Sequence, residues 1–391
     1  MATERRISQQ IRMVERVLHE YQQQRKIPLA RFLTGFYKRN RQMGGNDRRT
    51  VSRLTYHYFR IGNAARQADI STRLAIAEFL CSEDSALVQL VLPALYPSVD
   101  KPMEEKLVLL EQQTDFRLED VFPYQGQLSE GVDGSDFVKS LFVQPDLFIR
   151  LRPGHEAEVQ KRLTEEGISY RVLGTSRLAL PNGVALDRIR DLAGKYEVQD
   201  DSSQQTGTFF NAADGESWWD ACAGAGGKSL LLLDSHPAIN LLVSDVRTSI
   251  LRNLDERFEA AGITKYRQKI IDLTKDTAVI LGKEQFDGII LDAPCSGSGT
   301  WGRTPEMITS FDGDSIRQFA AVQRQAAEAV IKHLKPGKPL IYITCSVFSE
   351  ENELAIAFLQ STGLVKLERA ELLQGYRHRA DSMFVARLIR R

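Results

Sequence analysis

"WWDACAGAGGKS", residues 218–229, decides the fold. An apolar run ending in Asp220 breaks into a glycine-rich turn, and an apolar helical pattern follows. Such a turn lets backbone N–H groups approach a ligand closely. Three ligands compete for it. A nucleotide phosphate calls for GxxxxGK[ST]; Lys228 and Ser229 fit its end, but Cys222 stands at its first glycine. A dinucleotide calls for GxGxxG, whereas Gly224, Gly226 and Gly227 give GxGG. The third is S-adenosylmethionine.

The next strands favour the third. "INLLVSD" ends in Asp245, 21 residues after Gly224, where an acidic side chain meets a ribose diol. Asp272 follows the third strand, near the expected adenine edge, and Asp292 follows the fourth. One such aspartate is more often a helix cap; three at the strand ends of one sheet are harder to dismiss. A ribose-binding carboxylate without a pyrophosphate loop suits an adenosyl ligand better than NAD.

Outward from this turn, "SWWDACA", "INLLVSD", "QKIIDL", "FDGIILDAP", "KPLIYITCS" and a late "SMFVARLIR" alternate with helical patterns. That predicts a Rossmann-like, doubly wound α/β domain with a mainly parallel sheet over 206–391. Upstream, "DLFIRLRPG", "HEAEVQKRLTEEG", "ISYRVLGTSRLALP" and "VALDRIRDLAGKYEVQDD" read as strand, helix, two strands, helix and strand. A ferredoxin-like subdomain over 140–205 is expected. Residues 5–95 read as helices: "SALVQLVLPALYP" runs to Pro97, and Asn46 or Asp47 caps the helix bearing Arg48, Arg49 and Arg53. An all-helical domain over 1–135 results, with 98–140 as a weakly patterned connection.

The net charge is zero but unevenly spread. Residues 1–70 hold 15 Lys/Arg against 5 Asp/Glu, a balance of +10, so the remainder carries −10. A basic helical start suggests a polyanion, with a solvated arginine-rich face as the plainer reading. No long apolar run predicts a membrane span, and the first residues lack a signal-peptide core. The four cysteines show no metal-ligand spacing, so no metal and no disulfide framework are expected. A soluble cytoplasmic monomer with reduced thiols fits.

Two cysteines end strands: Cys295 in "LDAPCSGSGT" (291–300) and Cys345 in "YITCSVFSEE" (342–351). Neighbouring strands lie about 4.8 Å apart, so both thiols can face one flat ring. Cys81 and Cys222 read as packing. Cytosine carbon 5 is a poor nucleophile. A thiolate adding to carbon 6 makes carbon 5 an enamine carbon able to accept a methyl group, and a base then removes the carbon-5 proton as the thiol leaves. Asp292 is placed to meet the pyrimidine's polar edge. The residues alone do not order the two cysteines.

"DACAGAGGKS", "LDAPCSGSGT", "YITCSVFSEENE" and "YEVQDDSSQQTG" resemble the signature blocks of RNA cytosine-5 methyltransferases of the Sun/Fmu-like family, over roughly 140–391. "NDRRTVSRLTYHYFR" more loosely resembles the NusB-like RNA-binding domain of its 16S ribosomal RNA branch. The resemblance implies Cys345 as nucleophile and Cys295 in product release; Asp292 is read as catalytic from its place at the pyrimidine's polar edge. It implies cofactor contacts from Cys222, Ala223, Gly224, Ala225, Gly226, Gly227 and Lys228, with Asp245, Asp272 and Asp292. The family pattern is CAAPGGK; Gly224-Ala225 replaces its Ala-Pro and loosens the turn. The implied partner is ribosomal RNA. A non-catalytic RNA-binding assembly factor is the alternative, and it predicts damaged site residues.

Overall fold

The computed structural model describes residues 2–25 and 27–391. The chain forms two compact units. One comprises the chain through Gly126 with Asp133–Gln144 and Trp301–Asp312; the other comprises Gln127–Val132, Pro145–Thr300 and Gly313–Arg391. A boundary at 135, a separate 140–205 and a continuous 206–391 do not coincide with these units.

The first unit is helical, including Ala2–Gln22, Leu29–Arg39, Gly45–Arg60 and Ile70–Cys81. Val14, Val17, Phe32, Phe36, Leu54 and Leu74 meet in its core. Three readings need correction. Residues 98–140 hold helices Met103–Gln113, Leu118–Val121 and Gly134–Ser140. The first of these follows Pro102 and carries Glu104 and Glu105 in its first turn, a start signal that its sparse apolar pattern obscured. The helix begun at Ser85 stops at Val91, two residues before Pro93, because proline disfavours helical backbone in the residue preceding it. Gly44, not Asn46 or Asp47, caps Gly45–Arg60. Trp301–Asp312 also belongs here: Trp301 packs on Phe122 and Phe311, and Glu306 accepts the Leu29 N–H at 3.1 Å.

The second unit opens with strands β1 (Leu147–Leu151), β2 (Arg171–Val172), β3 (Arg177–Leu180) and β4 (Tyr196–Val198). Their order β2-β3-β1-β4, antiparallel throughout, is ferredoxin-like. The second expected helix is instead two 3-10 turns, Leu186–Arg188 and Arg190–Leu192. Leu186, Ile189 and Leu192 are buried at a spacing of three, the 3-10 period.

The large sheet has β5 (Ser217–Asp220), β6 (Asn240–Asp245), β7 (Arg267–Ile270), β8 (Gly288–Asp292), β9 (Pro339–Thr344), β10 (Val365–Leu373) and β11 (Met383–Arg390). Its order is β10-β11-β9-β8-β5-β6-β7. β5 to β9 are parallel, and β11 lies antiparallel to β9 and β10. The sequence pattern missed β10, whose charged "KLERAE" leaves one side in solvent. Trp218 and Trp219 are fully buried on opposite faces of β5, each worth about 5 kcal/mol of apolar burial. Trp218 covers Gly288 of β8, where a Cβ would sit 2.3 Å from its ring.

Candidate active site

Strand order, not direction, reverses between the parallel neighbours β5 and β8: β6 and β7 extend the sheet one way, β8 and β9 the other. Ligands bind at the carboxyl ends of strands beside such a point. A cavity of about 450 Å³ lies there, lined by Cys222, Asp245, Arg247, Asp272, Asp292 and Pro294, with Ile271, Leu273 and Ala326 as apolar wall. Four of the expected cofactor residues, Cys222, Asp245, Asp272 and Asp292, therefore share one cavity.

Ala223, Gly224, Ala225, Gly226, Gly227 and Lys228 form the neighbouring turn. Gly224 and Gly226 have φ of +53° and +82°. At Gly226 a Cβ would also lie 2.8 Å from the Phe258 ring, so only glycine fits without displacement. Asp245 binds the turn directly, accepting the Gly224 N–H at 3.1 Å and the Arg247 backbone N–H at 2.9 Å. The Arg247 guanidinium adds two further bonds at 3.0 and 3.1 Å. Although burial opposes it, these bonds hold the Asp245 carboxyl below its ordinary pKa. Lys228 is buried and bonds Ser203 Oγ at 2.8 Å and Asp292 Oδ2 at 3.1 Å. The 196–207 block thus reaches the site through Ser203.

Under the turn lies Asp220, fully buried. It accepts the Ser229 hydroxyl at 2.6 Å through one oxygen, while the other has no partner. Burial raises its pKa to about 7, and Asp292 and Asp245 add to the rise. Burial also raises the Cys222 thiol.

Asp292 pairs in register with Ile343, so the chains past β8 and β9 leave the sheet side by side. The Sγ atoms of Cys295 and Cys345 end 3.2 Å apart. The hydrogen bond with Cys345, then burial, pushes the Cys295 thiol well up. Either sulfur of the pair can be the donor.

Sequence reasoning missed what fixes this pair. Glu351 is fully buried and accepts the Ser296 N–H at 2.8 Å, the Ser346 hydroxyl at 2.8 Å and the Gln323 amide at 2.9 Å. One carboxylate thus ties together the residues that follow the two cysteines. Burial raises its pKa against these bonds. Its signal was an acidic "SEEN" run directly after a buried strand. Arg247 and Asp220 were missed too, since neither spacing nor type sets them apart.

Residues 207–389 match the family model described as 16S rRNA methyltransferase RsmB/F. Over these residues, a little under half of the chain, it is similar to this family. A curated relative, ribosomal RNA small subunit methyltransferase B of Xanthomonas campestris pv. campestris, is 33% identical over 210 residues, covering 53% of this chain and 48% of the relative. The chain spans about half the length of the curated relatives it matches. Among solved structures, PH0851 superposes with a TM-score of 0.73 at 22% identity over 93% of this chain and 95% of its own. NSun6 from Pyrococcus horikoshii with SFG gives 0.60 at 17% identity, covering 68% of this chain and 97% of its own. These likenesses show the fold, a Rossmann-like α/β domain.

No described helix is long and apolar enough to cross a membrane, and among the described residues no group of three His, Cys, Asp or Glu is arranged for a metal.

Proposed function

We propose that this chain transfers a methyl group from S-adenosylmethionine to carbon 5 of a cytosine in RNA, with 16S ribosomal RNA as the substrate the family match favours. The observation that carries this reading is the Cys295–Cys345 pair, 3.2 Å apart beside a cavity edged by acidic strand ends. The cavity suits the cofactor. Asp245 and Asp272 offer acceptors for a diol and an amine, the apolar wall suits a flat ring, and the glycine turn keeps one side open. Bound there, S-adenosylmethionine supplies an electrophilic methyl group.

The chain's own groups do the rest. Cys345 adds to cytosine carbon 6, forming an S–C bond and moving the ring's C5–C6 π electrons towards carbon 5. Lys228 holds Asp292, which meets the pyrimidine's polar edge. After methylation the carbon-5 proton leaves to a base, the electron pair re-forms the double bond, and the S–C6 bond breaks. Cys295, next to the departing sulfur, serves that release. The catalytic roles of Cys345, Cys295 and Asp292, and the cofactor roles of the residues named above, belong to this proposal.

So do the helical residues 1–135 as an RNA-binding domain, 140–205 as a subdomain beside the site, and a cytoplasmic, monomeric enzyme. A non-catalytic assembly factor would not need two juxtaposed thiols. The test is incubation with 16S ribosomal RNA and methyl-labelled S-adenosylmethionine, followed by nuclease digestion and nucleoside mass spectrometry. Label in 5-methylcytidine supports the reading; label elsewhere, or none, rejects it.

A further inference from the structure

The helical unit contains a separate cavity of about 220 Å³, whose walls include Tyr21, Arg25, Tyr58, Arg66, Arg73 and Thr309. Three guanidinium-bearing residues line it, and no carboxylate does. The arginines first expected to meet phosphates are otherwise engaged. Arg53 pairs with the fully buried Glu78, Arg48 donates to the Met43 and Arg41 carbonyls, and Arg49 donates to Asn46.

Arg73 is different. It is 7% exposed, yet no carboxylate accompanies it. Its Nη2 donates to the Gly62 carbonyl at 3.0 Å and its guanidinium lies 4.6 Å from the Tyr58 ring centre. Its buried Nε has no hydrogen-bond partner. A buried guanidinium is ordinarily paired. Burial lowers its pKa; the Tyr58 phenol opposes this, and the like charge of Arg66, which also lines the cavity, adds to it. Arg66 is exposed and tethered to Asn63, on a loop in which Gly62 and Ala65 have φ of +51° and +50°. An alanine in that region is strained, which is common where a loop is shaped for a ligand. Arg25 is exposed at the rim, near Tyr21. Glu306, whose charge also reaches Tyr21, is turned to the Leu29 N–H.

Like charges facing one another in a partly buried cavity are unfavourable until an anion sits between them. We propose that this cavity seats a phosphate of the RNA backbone between Arg66 and Arg73, with Arg25 at its mouth. This rests on the RNA-methyltransferase reading and deepens it. Two planar guanidinium forks suit phosphate oxygens, and the exposed pair at the mouth leaves room for a polymer to continue.

The test uses the full chain carrying Arg66→Gln, Arg25→Gln or both, substitutions at exposed positions, with melting temperature as the folding check. Binding of a 16S ribosomal RNA fragment is followed by fluorescence anisotropy across a salt series. Each single change is expected to weaken binding about three- to tenfold, in the range of an ordinary hydrogen bond lost at an exposed position. The double variant should lower the slope of log K against log salt by about 0.7, one single-strand phosphate. Unchanged affinity and slope in the double variant overturn the proposal. So does stabilisation by inorganic phosphate or uridine monophosphate that Arg66→Gln abolishes while RNA affinity stays intact, because the cavity then serves a free anion. Failure of the enzyme reading looks different: the unsubstituted chain then makes no 5-methylcytosine.

Discussion

The Sγ atoms of Cys295 and Cys345 stand 3.2 Å apart, just beyond the ends of the paired strands β8 and β9. That is a hydrogen-bonded separation, against about 2.05 Å for a disulfide. A mild oxidant should remove one hydrogen from each thiol and join the sulfurs. Methylation should then stop and return with dithiothreitol, while Cys81 and Cys222 remain alkylatable. Peptide mass spectrometry after alkylation reads this directly; full activity with all four thiols alkylatable after oxidation would contradict the proximity.

Glu351 binds both turns that carry these cysteines. Glu351→Ala leaves the Ser296 N–H and the Ser346 hydroxyl without this acceptor in a buried site. The expected destabilisation is about 3 kcal/mol, two charge-assisted bonds' worth. Because the turns lose their common anchor, kcat should fall while KM for RNA changes little. Glu351→Gln should restore part of both. A variant with unchanged melting temperature and kcat would show that the carboxylate is dispensable.

Asp245 is the acceptor that fixes the glycine turn and faces the cavity. Asp245→Ala should weaken S-adenosylmethionine binding about tenfold or more, from roughly 1.5–3 kcal/mol of charge-assisted hydrogen bonding. Isothermal titration calorimetry on the folded variant measures it. Unchanged affinity would remove Asp245 from the cofactor site.

Asp220 has a folded-state pKa of about 7, above its unfolded value, so the native protein binds the extra proton between those limits. Stability from this group is therefore full below the unfolded pKa and declines as pH rises towards and through 7. The change amounts to at most about 4 kcal/mol. Asp220→Asn keeps an acceptor for Ser229 and removes the titration. Its melting temperature should exceed that of the unsubstituted chain more at pH 8 than at pH 5. An equal difference at both would show that Asp220 titrates normally.

The parallel sheet was legible because β5, β6, β8 and β9 are buried on both faces and read as apolar runs between glycine and aspartate punctuation. Cys222, Asp245, Asp272, Asp292 and both strand-end cysteines were legible for a related reason: strand order carries strand ends to one edge. β10 was not, because an edge strand with charges on its exposed side lacks that signature. Nor was the place of Trp301–Asp312, which depends on Trp301 finding Phe122 some 180 residues earlier. Glu351 and Arg73 were hidden because sequence reading assigns charged residues to the surface by default.

The central claim is that the two cysteines have different tasks, attack for Cys345 and release for Cys295. The most direct measurement is a denaturing gel of Cys345→Ala and Cys295→Ala, each incubated with 16S ribosomal RNA and S-adenosylmethionine. The account predicts a slow-migrating covalent protein–RNA band with Cys295→Ala, which attacks but fails to let go, and none with Cys345→Ala. A band with Cys345→Ala and none with Cys295→Ala would reverse the roles, and normal methylation by both variants would contradict the covalent route altogether.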